Sequence, residues 1–359
     1  MNRLSLVAAC CICATAFSAE AEVPDTAVSI KPIHSLIAGV MADIDEPWLM
    51  LRGAASPHTY QFRPSEAQRL DQAELIVWIG ENMETFLARP IENLGSDAVV
   101  ITLHEVPGIR LLPTRPGGLF GDDDHAGEEE EDEHHDEEAE SGHGDEEEGE
   151  EEEGHAEGEE EGEHAEGEDE DGFHVDEHAD HGHEHDEFDM HIWLDPDNAS
   201  RIVQTLVEIL AGMDPDRATA YRVNADRMLL RIETQKDSLA RQLEPVEGEG
   251  YIVFHDAYQY FERAFDLEPT GSVAVDPSRA PSAKRLAELR SALSEDEVRC
   301  VFVEPQFKPD LVETIVEGTG VRTATLDPLG VDVEPGPDAW FTIMDDMADA
   351  FSECLGGGT

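Results

Sequence analysis

The stretch DPDRATAYRVNADRMLLRIETQKDSLARQLEP, residues 214–245, decides the architecture. Pro215 stands at its start and Pro245 at its end, with no Gly or Pro between them. Proline is tolerated in the first turn of a helix and breaks it elsewhere, so 216–243 reads as one uninterrupted helix. Tyr221, Ala225, Met228, Leu229, Ile232 and Leu239 form a single apolar stripe at helical spacing. At 1.5 Å per residue such a helix is about 40 Å long, a rod rather than a coiled linker.

On both sides of the rod, short apolar runs alternate with helical stretches. Ahead of it, strands are predicted at 27–30, 48–51, 75–79 and 99–103, and a helix at 33–41. Ser65-Glu66-Ala67-Gln68 reads as a capping box that starts another helix. Asp197-Asn198 reads as the cap of a helix running to about Ala211. Beyond the rod, strands are predicted at 251–254, 273–275, 300–303 and 323–326, with helices at 257–265, 282–293, 309–318 and 337–354. Continuous apolar runs fit strands covered on both faces of a parallel sheet. The alternation predicts an α/β class with an N-terminal lobe (22–213), a linking helix (214–244) and a C-terminal lobe (245–359), and ligands in such folds bind beyond the carboxyl ends of the strands.

The charge is concentrated. The chain of 359 residues carries a formal charge of −61. Residues 121–189 contain no Lys or Arg but hold 38 of the 84 acids and 11 of the 16 histidines, leaving −23 on the other 290 residues. So negative a chain repels nucleic acid and anionic membrane surfaces, and cations are its natural partners. The insert has little to bury and repels itself, so it is expected to be disordered without ligand. Its histidine clusters, among them His134, His135, His174, His178, His181, His183 and His185, are expected to hold metal weakly, because ordering the chain costs entropy.

Residues 1–21 read as a secretory signal peptide, with an apolar run Leu4–Phe17 after Arg3 and cleavage after Ala19 or Ala21. An N-terminal anchor, or lipidation at Cys10, is the alternative reading. Export removes Cys10, Cys11 and Cys13 and leaves Cys300 and Cys354 in an oxidising compartment, where they read as a disulfide or as two buried thiols.

Five histidines lie outside the insert: His34, His58, His104, His191 and His255. His255 follows the strand Tyr251–Phe254, Asp327 follows Thr325-Leu326, His191 stands at the junction of insert and folded chain, and His58 lies in a loop before a helix. Three imidazoles and a carboxylate from separate loops suit a tetrahedral divalent ion, and imidazole selects zinc, copper, nickel or iron over calcium and magnesium. A histidine at a strand end is also an ordinary hydrogen-bonded core residue, the reading preferred for His34 and His104. Asp256 reads as the cap of the helix after it, and Glu304 as a polar cleft residue or a partner to an imidazole.

The words around these positions carry a resemblance. Ser29-Ile30-Lys31-Pro32-Ile33, Ser56-Pro57-His58-Thr59-Tyr60, Phe62-Arg63-Pro64-Ser65, Met190-His191-Ile192-Trp193-Leu194-Asp195-Pro196, Phe254-His255-Asp256-Ala257-Tyr258, Val303-Glu304-Pro305-Gln306-Phe307 and Leu326-Asp327-Pro328-Leu329-Gly330 occur in one order. Together they resemble the zinc-binding periplasmic component of ZnuA-type ABC importers, within the cluster A-I substrate-binding proteins. The resemblance implies two Rossmann-like lobes on a rigid backbone helix, with zinc in the interlobe cleft on His58, His191 and His255, and Asp327 or a water in fourth place. It also implies a disulfide between Cys300 and Cys354. Some members carry a carboxylate before the first ligand histidine; here that residue is Pro57, which cannot ligate. The implied partners are Zn²⁺, an inner-membrane ABC permease with its ATPase, and a periplasmic metallochaperone, the chain itself being a monomer that binds no nucleic acid. Affinity should fall with acid, because histidine ligates only when neutral. The rivals are a manganese or iron receptor of the same fold, a zinc hydrolase, and a metal buffer acting through the insert alone.

Overall fold

The computed structural model describes residues 22–115, 119–120, 188–274, 281–294, 298–307 and 310–357. The expected signal peptide, and residues 121–187 of the insert with its auxiliary histidines, lie outside them. The first lobe runs β1 (Thr26–Val28), α1 (Lys31–Val40), β2 (Trp48–Leu49), α2 (Pro64–Leu70), β3 (Leu75–Trp78), α3 (Thr85–Leu94) and β4 (Val99–Thr102). A short hairpin of β5 (Leu112–Pro113) and β6 (Phe188–Asp189) leads to α4 (Pro196–Met213) and the rod, α5 (Ala218–Leu243). The second lobe follows as β7 (Tyr251–His255), α6 (Gln259–Ala264), β8 (Gly271–Ala274), α7 (Ala283–Ser294), β9 (Cys300–Val303), α8 (Asp310–Val316), β10 (Arg322–Thr325) and α9 (Ala339–Leu355).

Each lobe has a four-stranded parallel sheet, ordered β2-β1-β3-β4 in the first and β10-β9-β7-β8 in the second. Counted within its own lobe, each sheet reads second, first, third, fourth. The chain therefore reverses direction between the first and third strands of both, where open α/β sheets hold their ligands. In the second lobe these strands are β7, which ends on His255, and β9, which is followed by Glu304.

The rod buries its predicted stripe except at Leu229, which is only partly buried, and adds Leu243. Tyr221, Ala225, Met228, Ile232, Leu239 and Leu243 are buried, each large apolar side chain contributing about 1.5–3 kcal/mol. Buried Asn224 on the same face donates from Nδ2 to the carbonyls of Val40 (3.1 Å) and Ala42 (2.9 Å), satisfying the end of α1. Gly39 allows this close approach, since a Cβ there would stand 2.3 Å from the Met228 sulfur. At the α4–α5 turn the buried Asp214 carboxylate accepts from Arg217 and from the Tyr221 hydroxyl, both at 3.0 Å. One apolar core runs from β1 and β3 through α1, α4, α5 and α9 to β7 and Phe302 of β9. Two smaller clusters cover the outer faces of the sheets.

Several local expectations need correction. The box at Ser65 begins earlier: Pro64 opens α2, and the Glu66 carboxylate accepts from the Arg63 backbone N–H at 2.7 Å, a geometry proline suits at a first helical position. Asp195, not Asp197-Asn198, caps α4, accepting from the Asp197 N–H at 2.8 Å. The helix α3 was not expected; it contains Pro90, but Leu87 and Ile91 one turn apart are buried against the sheet. β4 is an edge strand and is half-exposed rather than covered on both faces.

Cys300 at the start of β9 and Cys354 near the end of α9 form a disulfide across 54 residues. Closing a loop of that length removes about 4 kcal/mol of unfolded-state entropy. Urea unfolding of the C300S/C354S variant is expected to show a loss of that order, and an unchanged midpoint would exclude a stabilising bond. Glu84 gives a second test. It is buried and accepts from the N–H groups of Ile79 (2.8 Å) and Gly80 (3.0 Å). Burial outweighs these bonds and pushes its carboxyl from 4.5 to about 7. The unfolded chain therefore releases this proton first, and the folded state loses of order 3 kcal/mol as pH rises from about 4.5 to 7. E84Q, which keeps the acceptor oxygen, is expected to remove that part of the decline in unfolding curves at pH 5 and pH 8.

Candidate metal centre

The three histidines expected to meet do meet. His58 comes from the long loop between β2 and α2, His191 from the turn after β6, and His255 from the end of β7. One ring nitrogen of each lies within 4.8 Å of the others, and the ring centroids are 5.0–5.7 Å apart. A tetrahedral ion with Zn–N of 2.0–2.1 Å requires about 3.3 Å between nitrogens, so small side-chain shifts complete the geometry. Pro57, Trp193, Phe307, Pro328 and Leu329 wall a cavity of about 10 Å³ beside the rings, on the scale of one water molecule.

Two of the rings are oriented by buried carboxylates. His255 Nδ1 donates to Glu304 Oε1 at 2.8 Å, and His191 Nδ1 donates to Asp189 Oδ1 at 2.7 Å. A carboxylate only accepts, so in each ring Nδ1 carries the proton and the Nε2 lone pair is available. His255 is 4% exposed, and its Nε2 has no hydrogen-bond partner. A buried polar atom left in this way calls for a ligand, and an imidazole backed by a carboxylate is the usual arrangement at metal sites. Burial alone would depress the His255 pKa; the charge and hydrogen bond of Glu304 outweigh it, and the net shift is upward.

The other singled-out residues are placed as follows. Asp327 stands at the end of β10 but outside the group of three. Its carboxylate accepts from Gln306 Nε2 at 2.9 Å and from the backbone N–H groups of Leu329, Gly330 and Val331. It organises the loop whose Pro328 and Leu329 wall the cavity. Asp256 caps no helix, since α6 begins at Gln259; it accepts from Arg115 instead. His34 bonds the carbonyl of Pro47 at 2.9 Å and His104 that of Ile79 at 2.7 Å, as core residues do. Glu304 is the imidazole partner that its strand-end position allowed. Asp189 was hidden among the acids of the insert, although its place two residues before His191 was the available signal.

The lobes are tied together around the site. Buried Lys31, at the start of α1, donates to the carbonyls of Gly330, Val331 and Val333 in the second lobe. Trp193 Nε1 donates to the Pro328 carbonyl and Trp340 Nε1 to the Trp193 carbonyl, both at 2.9 Å.

Residues 27–354 match the family described as zinc-uptake complex component A, periplasmic (ZnuA). The high-affinity zinc uptake system protein ZnuA of Brucella abortus (strain 2308) is 37% identical over 343 residues, covering 96% of this chain and 94% of its own length. That of Yersinia pestis is 31% identical over 330 residues, covering 91% and 90%. A solved ZnuA deletion mutant with zinc bound shares the fold, with a TM-score of 0.67 at 22% identity, over 94% of this chain and 100% of the other.

The carboxylate partners provide a test. E304Q and D189N are each expected to weaken divalent-metal binding about 10–100-fold while leaving the unfolding midpoint of the metal-free protein close to the parent's. Equal metal affinity in parent and variants, measured by competition titration, would remove these residues from the site.

Proposed function

The chain belongs to the ZnuA family of periplasmic zinc-uptake components, and from that we propose that it captures zinc between its lobes on His58, His191 and His255 and passes it to an ABC permease. The chain is a binding protein, not an enzyme. The observation that carries the ligand set is the convergence of three ring nitrogens from separate loops within 4.8 Å, with two rings turned by carboxylates. Neutral imidazole is a good ligand for zinc and a poor one for calcium or magnesium. Asp189 and Glu304 bring negative charge next to the neutral rings without themselves ligating, which raises ligand basicity. Pro57 has no side-chain donor atom and the Asp327 oxygens are engaged by the loop. A water therefore fills the fourth position in this reading.

The histidine clusters of the insert, His134, His135, His174, His178, His181, His183 and His185, act as weak collecting sites. Their tether to the cleft raises the local concentration of zinc there. The receptor works as a monomer in the periplasm. Its protein partners are the permease with its ATPase and, upstream, a metallochaperone.

Competition titration of the exported chain tests this. One tight zinc site is expected to survive deletion of residues 121–187, while the weaker equivalents vanish. H58A, H191A and H255A are each expected to weaken that site by more than the roughly 10–100-fold loss typical of an outer partner. D327N is expected to keep it. Loss of the tight site with the insert alone would transfer the function to the insert, and its loss in D327N would restore Asp327 as a ligand.

A further inference from the structure

By sequence the acidic insert interrupts the first lobe, yet both of its roots are fastened to the second. On the outgoing side, the Phe120 N–H donates to the Thr270 carbonyl at 2.8 Å, and Leu119 bridges Gly271 at the start of β8. On the returning side, Phe188-Asp189 pairs with Pro113-Leu112. The Tyr260 hydroxyl joins the two sides, accepting from the Leu112 N–H at 3.0 Å and donating to the Asp189 carbonyl at 2.7 Å.

Arg115 is the last cation before the insert; no Lys or Arg follows until Arg201. Its side chain is 20% exposed, and it reaches two carboxylates of the second lobe that are 5% and 3% exposed. Nε donates to Asp256 Oδ2 at 3.0 Å, Nη2 donates to Asp256 Oδ1, and Nη2 pairs with Glu262 Oε2 at 2.8 Å. The guanidinium also lies 4.3 Å from the centroid of the Phe120 ring, on the far side of the same root. Asp256 directly follows His255, and Asp189 on the returning root holds His191. The outgoing root is therefore one ion pair and one residue from His255, and the returning root one hydrogen bond from His191.

We propose that Arg115 is a positioning residue for zinc retention, fastening the outgoing root of the insert to the residue beside His255 so that loosening this root speeds zinc release. The planar fork makes the fastening directional: two donors on one carboxylate set the orientation of the 255–256 backbone, which a lone ammonium would not. The pair is also hard to break and simple to disturb. Removing the cation leaves two buried carboxylates uncompensated, and the backbone that carries His255 has to move to hydrate them. The proposal rests on the cleft reading above.

The test uses the full exported chain and three variants. R115Q breaks the fastening. R115Q/D256N/E262Q also breaks it but leaves no buried charge, so it decides the matter if R115Q folds poorly. R231Q is the control, removing an exposed pair with Asp338 on the rod. Zinc release into excess chelator is followed by stopped flow, and the geometry of the site by the visible absorption of bound Co²⁺. R115Q and the triple variant are expected to release zinc about tenfold faster or more, the scale of outer-partner losses, with an altered Co²⁺ spectrum; R231Q is expected to match the parent in both. Release within twofold of the parent from a triple variant with the parent's melting temperature would overturn the proposal. Release from H255A at the parent's rate would instead refute the cleft reading itself.

Discussion

The metal centre depends on a constraint away from the metal: the inner faces of both sheets share one apolar core around α1, α4, α5 and α9. Neither lobe closes its core alone. Separating the lobes would expose Trp193 and Trp340, both fully buried and joined across the lobes by a hydrogen bond, and large aromatic side chains dominate core energetics. The strand ends of the two lobes are thereby held at a fixed spacing, and loops from each can present imidazoles to one point. Lys31 and the two indole N–H groups add directional ties at the cavity wall.

Within that frame, the acidic groups around the three imidazoles take different tasks. Glu304 and Asp189 act on the imidazoles through Nδ1, while Asp327 acts on the loop. Glu304 and Asp189 thereby fix the ring orientations and place negative charge beside His255 and His191.

Much of the fold was legible because its signals are local. Apolar runs, caps and the proline-bounded rod each lie within a few residues, so the alternation and the α/β class could be read with small errors at element ends. At two of those errors a tertiary contact had overruled a local preference: Leu87 and Ile91 packed on the sheet keep a helix around Pro90, and Arg115 draws Asp256 from the cap it resembled.

By itself, the sequence determined the alternation of strands and helices around a rod and, through the words surrounding them, the three histidines. It also determined a pair of cysteines able to bridge, though only the fold places Cys300 and Cys354 side by side. Tertiary structure alone decided that Glu304 meets His255 across 49 residues, that Asp327 turns to its own loop, and that Arg115 crosses 141 residues to root the insert on the opposite lobe. The reason is physical: a carboxylate looks the same in sequence whether it will ligate, orient or cap, and only the donors that packing brings within about 3 Å select among those roles.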